Sequence, residues 1–202
     1  DVPLEARYTT TDTSRGVVLT SALNGYQALD LSGSNNYNVI GTVANSLIRA
    51  GDSYTLGAIV KADTNTGYAS FLRMYDNSYT HRRFLAGYSG TQFRFMGTRL
   101  DSTSSTLYDA GTPSTSNYQV VLFQWDLTNA QLKIYVDNAL VATTTIGTSG
   151  SMADTALQQP EVGNLLDGKL VEVWLYKDSI MSDVNRASFF SDIDSKFAIP
   201  GY

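Results

Sequence analysis

Residues Tyr118–Ile146 read YQVVLFQWDLTNAQLKIYVDNALVATTTI. Three β-rich runs lie in this stretch: Tyr118–Asp126 (YQVVLFQWD), Gln131–Val136 (QLKIYV) and Ala139–Ile146 (ALVATTTI). Only Asp137 and Asn138 separate the last two. Asx residues accept the positive φ that a two-residue hairpin turn requires, so this pair predicts a hairpin. Asp126–Ala130 (DLTNA) predicts a second turn by the same logic.

The first run is apolar on both parities. Val120 and Leu122 alternate with Val121, Phe123 and Trp125. Gly168–Tyr176 (GKLVEVWLY) behaves alike. A strand apolar on both faces lies inside a sandwich or under a further layer, which predicts central strands of two packed sheets. Further β-rich runs are Tyr54–Lys61, Phe71–Tyr75, Arg83–Tyr88 and Gln92–Met96. Residues 101–117 and 147–160 read as polar loops, and residues 1–16 as an N-terminal arm. The one good helix signal is Ser182–Phe190: Ser182 can cap, Asp183 suits the positive helix end, and Phe189 and Phe190 supply an apolar face. The expected fold is all-β, a two-sheet antiparallel β-sandwich with a short C-terminal helix, occupying residues 17–202 as one domain.

Composition narrows the function. The chain has 202 residues, 43% hydrophobic and only 16% charged, with Ser, Thr, Asn and Gly in place of charge. That neutral, hydroxyl-rich surface suits an extracellular or virion-surface protein. Net charge is −5, which argues against nucleic acid as a partner. No apolar run is long enough to span a bilayer, so membrane insertion is not expected. The absence of cysteine removes disulfides, thiolate chemistry and Cys-based zinc sites.

Three segments resemble the concanavalin-A-like lectin/glucanase superfamily, particularly its laminin-G-like members in phage and bacterial surface proteins. The first is Gln27–Tyr37 (QALDLSGSNNY) followed by Ser53–Lys61 (SYTLGAIVK). The second is Trp125–Val141 (WDLTNAQLKIYVDNALV), where Asn138 stands in place of the family's Gly. The third is Gly168–Tyr202, similar to the family's closing strand, short helix and K-[FY]-x-I-P ending. The resemblance implies a jelly roll. It does not imply a function, since the fold hosts lectins, glycosidases, lyases and scaffolds.

Glycoside hydrolysis needs two carboxylates flanking the scissile bond. The resemblance implies that hydrolases of this fold carry them as Glu-x-Asp-x-x-Glu, a motif missing here. The glutamates are only Glu5, Glu161 and Glu172, and Glu172 is expected to be a buried acid satisfied by an arginine or backbone donors. His81 is the sole histidine; with Tyr79, Arg82 and Arg83 it could serve a lyase, but an exposed turn explains it as well. Loop oxygens of Asp76, Asn77, Asp101 and Asp109 are candidate calcium ligands, without the spacing of an EF-hand, and turn chemistry explains them too. No other cofactor is expected.

Residues 68–99 hold five of the nine arginines, interleaved with aromatics. Aromatic faces stack on sugar CH groups and Arg donates bidentate hydrogen bonds. Arg73, Tyr75, His81, Arg82, Arg83, Tyr88 and Arg94 are therefore candidate ligand-binding residues. The same strip also reads as a protein interface, or as core aromatics alternating with solvated arginines. The expectation is a non-catalytic carbohydrate-binding, adhesion or structural module of a virion or secreted surface protein. Its partners would be glycan or neighbouring surface proteins, with a homo-oligomer as a candidate assembly. The alternative is a polysaccharide-degrading glycosidase or lyase.

Overall fold

The computed structural model describes residues 17–32, 37–38, 52–65, 67–76, 82–96, 107–147 and 158–199. The 1–16 arm lies outside them. Thirteen strands are β1 (Val17–Leu23), β2 (Tyr26–Ser32), β3 (Tyr37–Asn38), β4 (Tyr54–Ala62), β5 (Tyr68–Asp76), β6 (Arg82–Ser89), β7 (Gln92–Met96), β8 (Leu107–Ala110), β9 (Gln119–Asp126), β10 (Gln131–Val136), β11 (Ala139–Thr145), β12 (Gln158–Asn164) and β13 (Asp167–Lys177). Among the described residues one helix, α1 (Asp183–Phe197), follows them. The strands form a seven-stranded sheet, β1-β2-β13-β4-β9-β10-β11, and a six-stranded sheet, β3-β12-β5-β6-β7-β8. All pairs are antiparallel, as the sandwich reading requires.

The deciding stretch folds as its residues dictate. Val136 pairs with Ala139 across Asp137-Asn138, whose φ values are 49° and 64°. Two consecutive left-handed residues give a turn whose twist matches the strands it joins. At the other turn, Asp126 Oδ1 accepts from the Asn129 N–H at 3.0 Å, and Ala130 takes φ 53°.

Between the sheets lies an aromatic core. Phe71, Phe93 and Phe95 of the six-stranded sheet meet Tyr54, Phe123 and Trp125 of the other, all at most 2% exposed. Phe95 stacks on Phe123 with ring centroids 5.0 Å apart and lies 5.8 Å from Trp125. Such pairs add roughly 0.5–1.5 kcal/mol beyond their area burial.

The second parity of β4 and β9 is covered by α1. Ile59, Val120, Leu122 and Tyr135 pack with Phe190, Ile193 and Phe197. The helix runs seven residues beyond the predicted Phe190, because Ile193 and Phe197 continue its buried stripe. Ser182 caps it, accepting from the Asn185 N–H at 3.3 Å. It ends at Ala198 (φ 49°), whose N–H donates to the Asp194 carbonyl at 2.8 Å.

Two expected loops contain strands. β8 falls within 101–117, and β12 begins at Gln158, inside 147–160. β8 is only four residues long, and β12 carries Pro160, which cannot donate to a ladder. Both therefore escaped a reading built on long apolar runs.

Candidate functional site

The arginine-rich segment forms β5, β6 and β7, three adjacent strands of the six-stranded sheet. Strand alternation divides its side chains between two faces. Phe71, Tyr88, Phe93 and Phe95 point into the core. Arg94, between Phe93 and Phe95, points outward and is half-buried. At Phe93, Arg94 and Phe95 the interleaving noted in the sequence is thus the alternation of core and surface.

Tyr88 is a correction to the candidate ligand set. It is 2% exposed, and its hydroxyl donates to the Asp167 carbonyl at 3.2 Å. Burial pushes its phenol up to about 12. A ring buried between two sheets offers no face to a ligand.

Arg94 and Asp109 are directly opposite each other on β7 and β8. Arg94 Nε donates to Asp109 Oδ1, and Nη2 to Oδ2, both at 2.7 Å. That hydrogen bonding raises the Arg94 pKa further, outweighing partial burial. The side chains remain 21% and 30% exposed. Asp109, a candidate calcium ligand, has both oxygens on a guanidinium, and a calcium ion there would face that positive charge.

A fork-to-fork pair fixes the guanidinium plane. One edge, Nε and Nη2, is spent on Asp109. The second edge, Nη1 with the remaining Nη2 hydrogen, points away from the carboxylate and suits two acceptors on one ligand. As a purely structural element, the same pair ties the short edge strand β8 to β7, a contribution of roughly 0.2–1 kcal/mol.

Around the pair the outer face is not bare. Ser70, Leu85 and Met96, which lie off the sandwich core, are each 0% exposed. At Gly87, the register partner of both Ser70 and Arg94, an added Cβ would stand 1.9 Å from the Ala69 carbonyl oxygen. Arg73 stands between Leu85 on β6 and Glu161 on β12 in the ladder, and is partly buried. The backbones of Tyr75, Asp76, Arg82 and Arg83 are strand residues of β5 and β6; their side chains, and all of Asn77, His81 and Asp101, lie outside the described residues.

Other acids are engaged in ion pairs. Glu172 is a third exposed rather than buried, and meets Lys196 Nζ at 3.1 Å rather than an arginine. It lies on the helix-bearing sheet, where the C-terminal turn of α1 brings the lysine. Asp63 and Asp30 flank Lys169 at 2.8 and 3.8 Å. Sequence reading missed this cluster because Asp30, Asp63 and Lys169 come from three distant segments. Among the described residues no group of three His, Cys, Asp or Glu is arranged to hold a metal.

A laminin-G-type family profile, described as "Concanavalin A-like lectin/glucanases superfamily", matches residues 31–183. The chain belongs to this superfamily. Solved structures share its fold at low identity. The CBM40 of the Ruminococcus gnavus IT-sialidase, bound to alpha2,3 sialyllactose, is 14% identical with a TM-score of 0.61, over 80% of this chain and 95% of that one. The binding domain of botulinum neurotoxin DC, in complex with rat synaptotagmin II, is 11% identical with a TM-score of 0.63, over 89% of this chain and 46% of that one. A leech intramolecular trans-sialidase, complexed with 2,7-anhydro-Neu5Ac, is 14% identical with a TM-score of 0.62, over 80% and 26%. The superfamily domain thus spans nearly all of the first chain and less than half of the other two. No curated protein sequence matches this chain.

Proposed function

We propose that this domain is a non-catalytic glycan-recognition module displayed on an extracellular or virion surface. The observation that carries the reading is the oriented guanidinium edge of Arg94, held by Asp109 on the outer face of the six-stranded sheet. A fixed bidentate donor matches a sugar carboxylate or two neighbouring hydroxyls. Glycan ligands in the structures of two fold relatives, sialyllactose and 2,7-anhydro-Neu5Ac, support the same class of partner. The low-charge surface supports an exposed setting on a particle or cell.

The test is a glycan array followed by titration calorimetry. Binding to an acidic or hydroxyl-rich glycan is expected. Arg94→Ala should weaken it by about 10- to 100-fold, the equivalent of losing charged hydrogen bonds of ~1.5–3 kcal/mol. Arg94→Lys keeps the charge but loses the fork, and should bind nearly as poorly. Chelating calcium should leave affinity unchanged, because Arg94 itself supplies the positive charge. Wild-type protein that binds no glycan at millimolar concentration, or Arg94→Ala protein that binds normally, would sink the proposal.

A further inference from the structure

We infer that Asn24 is a site of spontaneous deamidation, and that its conversion to aspartate or isoaspartate frees the β1–β2 hairpin from the C-terminal end of α1. The site is the two-residue turn between β1 and β2, closed by the Leu23–Tyr26 pair. Asn24 and Gly25 form it with φ values of 47° and 81°, and both are exposed. Such a turn favours Asn-Gly because both residues tolerate positive φ. Asn24-Gly25 is the only Asn-Gly step in the chain.

The reaction needs no co-reactant besides water. The Gly25 backbone nitrogen attacks Cγ of Asn24 and closes a cyclic succinimide. The bond from Cγ to Nδ2 breaks, and the Gly25 amide proton leaves with that nitrogen as ammonia. Water then opens the ring at either carbonyl. One opening gives aspartate; the other leaves Cγ linked to Gly25, which is isoaspartate. Nothing is oxidised or reduced. A following glycine favours the attack, because it has no side chain to shield its nitrogen. Even a Cβ built on Gly25 would meet nothing within 4 Å, so the approach is open. In a two-residue turn the N–H of the second residue stands outside the ladder, which leaves this nitrogen unengaged.

Before it is lost, the amide ties the hairpin to the helix. Asn24 Nδ2 donates to the Lys196 carbonyl at 3.0 Å, in the last turn of α1. A helix would ordinarily satisfy that carbonyl with the N–H four residues on, but position 200 is proline. Beside the tether Tyr26 packs on Phe197, with ring centroids 4.7 Å apart, and Leu23 is buried in the same cluster. Either product replaces a donor by a carboxylate, which only accepts. It would face a carbonyl at the negative end of the helix. The Lys196 ammonium is already on Glu172 at 3.1 Å. Isoaspartate also lengthens the turn by one backbone carbon and disturbs its register. While the tether holds, the Asn24 side chain is turned towards α1, so attack requires the hairpin to lift. Ammonia is lost to solvent, so the release does not reverse.

Wild-type protein incubated at mildly alkaline pH should lose ammonia at Asn24, read by tandem mass spectrometry of its peptides. Isoaspartate should appear at the same position, read by isoaspartyl methyltransferase labelling. Asn138, also left-handed in a two-residue turn but followed by Ala139, is the internal control and should keep its amide. Tyr26→Ala removes the ring contact with Phe197 and should speed the loss at Asn24. Asn24→Asp, made directly, should fold but melt about 2–4 °C lower, the usual effect of one hydrogen bond in a domain of this size. Its β1 and β2 amides should exchange with solvent faster than those of the wild type. An Asn24 that converts no faster than Asn138 overturns the inference. So does an unchanged rate in Tyr26→Ala protein, or an Asn24→Asp protein with wild-type melting and exchange.

Discussion

Asp137 occupies the first left-handed position of the β10–β11 turn, and its carboxylate faces inward. Oδ1 accepts from the Val120 N–H at 2.8 Å, and Oδ2 from Gln119 Nε2 at 3.4 Å. Burial still wins, and its pKa lies above the ordinary carboxylate value. The folded chain then binds the proton more tightly than the unfolded one. Stability is lost as pH rises from the ordinary carboxylate range through the folded pKa. Asp137→Asn keeps an Asx residue in the turn and an oxygen for the Val120 N–H. It should leave the melting temperature at pH 7 unchanged or higher and flatten its mildly acidic pH dependence, measured by thermal denaturation across pH. Tyr88 carries the alkaline counterpart. Its phenol is held at about 12 against an ordinary 10.0, so the unfolded chain ionises first and stability falls between those values as pH rises. Tyr88→Phe should shallow that alkaline slope in denaturant titrations, while losing the hydrogen bond to Asp167, which costs about 1 kcal/mol.

At the scale of elements, α1 is held by packing more than by its own propensity. Phe190 and Phe197 are each 1% exposed against β4, β9 and β10. Phe190→Ala should cost about 3–5 kcal/mol in chemical denaturation, as a large side chain leaves a cavity in a dense layer. Ser182→Ala should cost about 1 kcal/mol, the usual loss of an N-cap. The sheet beneath the helix is fitted closely. At Gly57 an added Cβ would stand 2.9 Å from Leu122 Cδ1 and 3.0 Å from Trp174 Cε3. Gly57→Ala should therefore destabilise by about 1–3 kcal/mol through overpacking. The helix start was legible because capping is local chemistry. Its end was not, because Ile193 and Phe197 matter only through the strands they meet.

At the scale of the whole molecule, rings from both sheets close one core. Phe95 of β7 lies 5.0 Å from Phe123 and 5.8 Å from Trp125, both of β9. Phe95→Ala should cost about 3–5 kcal/mol. Because that core joins the two sheets, urea should still unfold them together, at a lower midpoint, and near- and far-ultraviolet circular dichroism should trace one transition. Separate transitions for the two signals would show that the sheets unfold independently.

Local physics in the residues determined much of this protein. Asp137-Asn138 dictated a hairpin, alternation placed Phe93 and Phe95 on one side and Arg94 on the other, and Ser182 dictated a helix start. Doubly apolar β9 announced that both its faces would be covered. Only the tertiary structure decided what covers them: the aromatic core on one side and α1 on the other. It also moved Tyr88 from the candidate surface into the core, joined Arg94 to Asp109, and paired Glu172 with Lys196. Each of those outcomes depends on which strands become neighbours. Strand order is set by the burial of the whole chain at once, and no short window of sequence contains it.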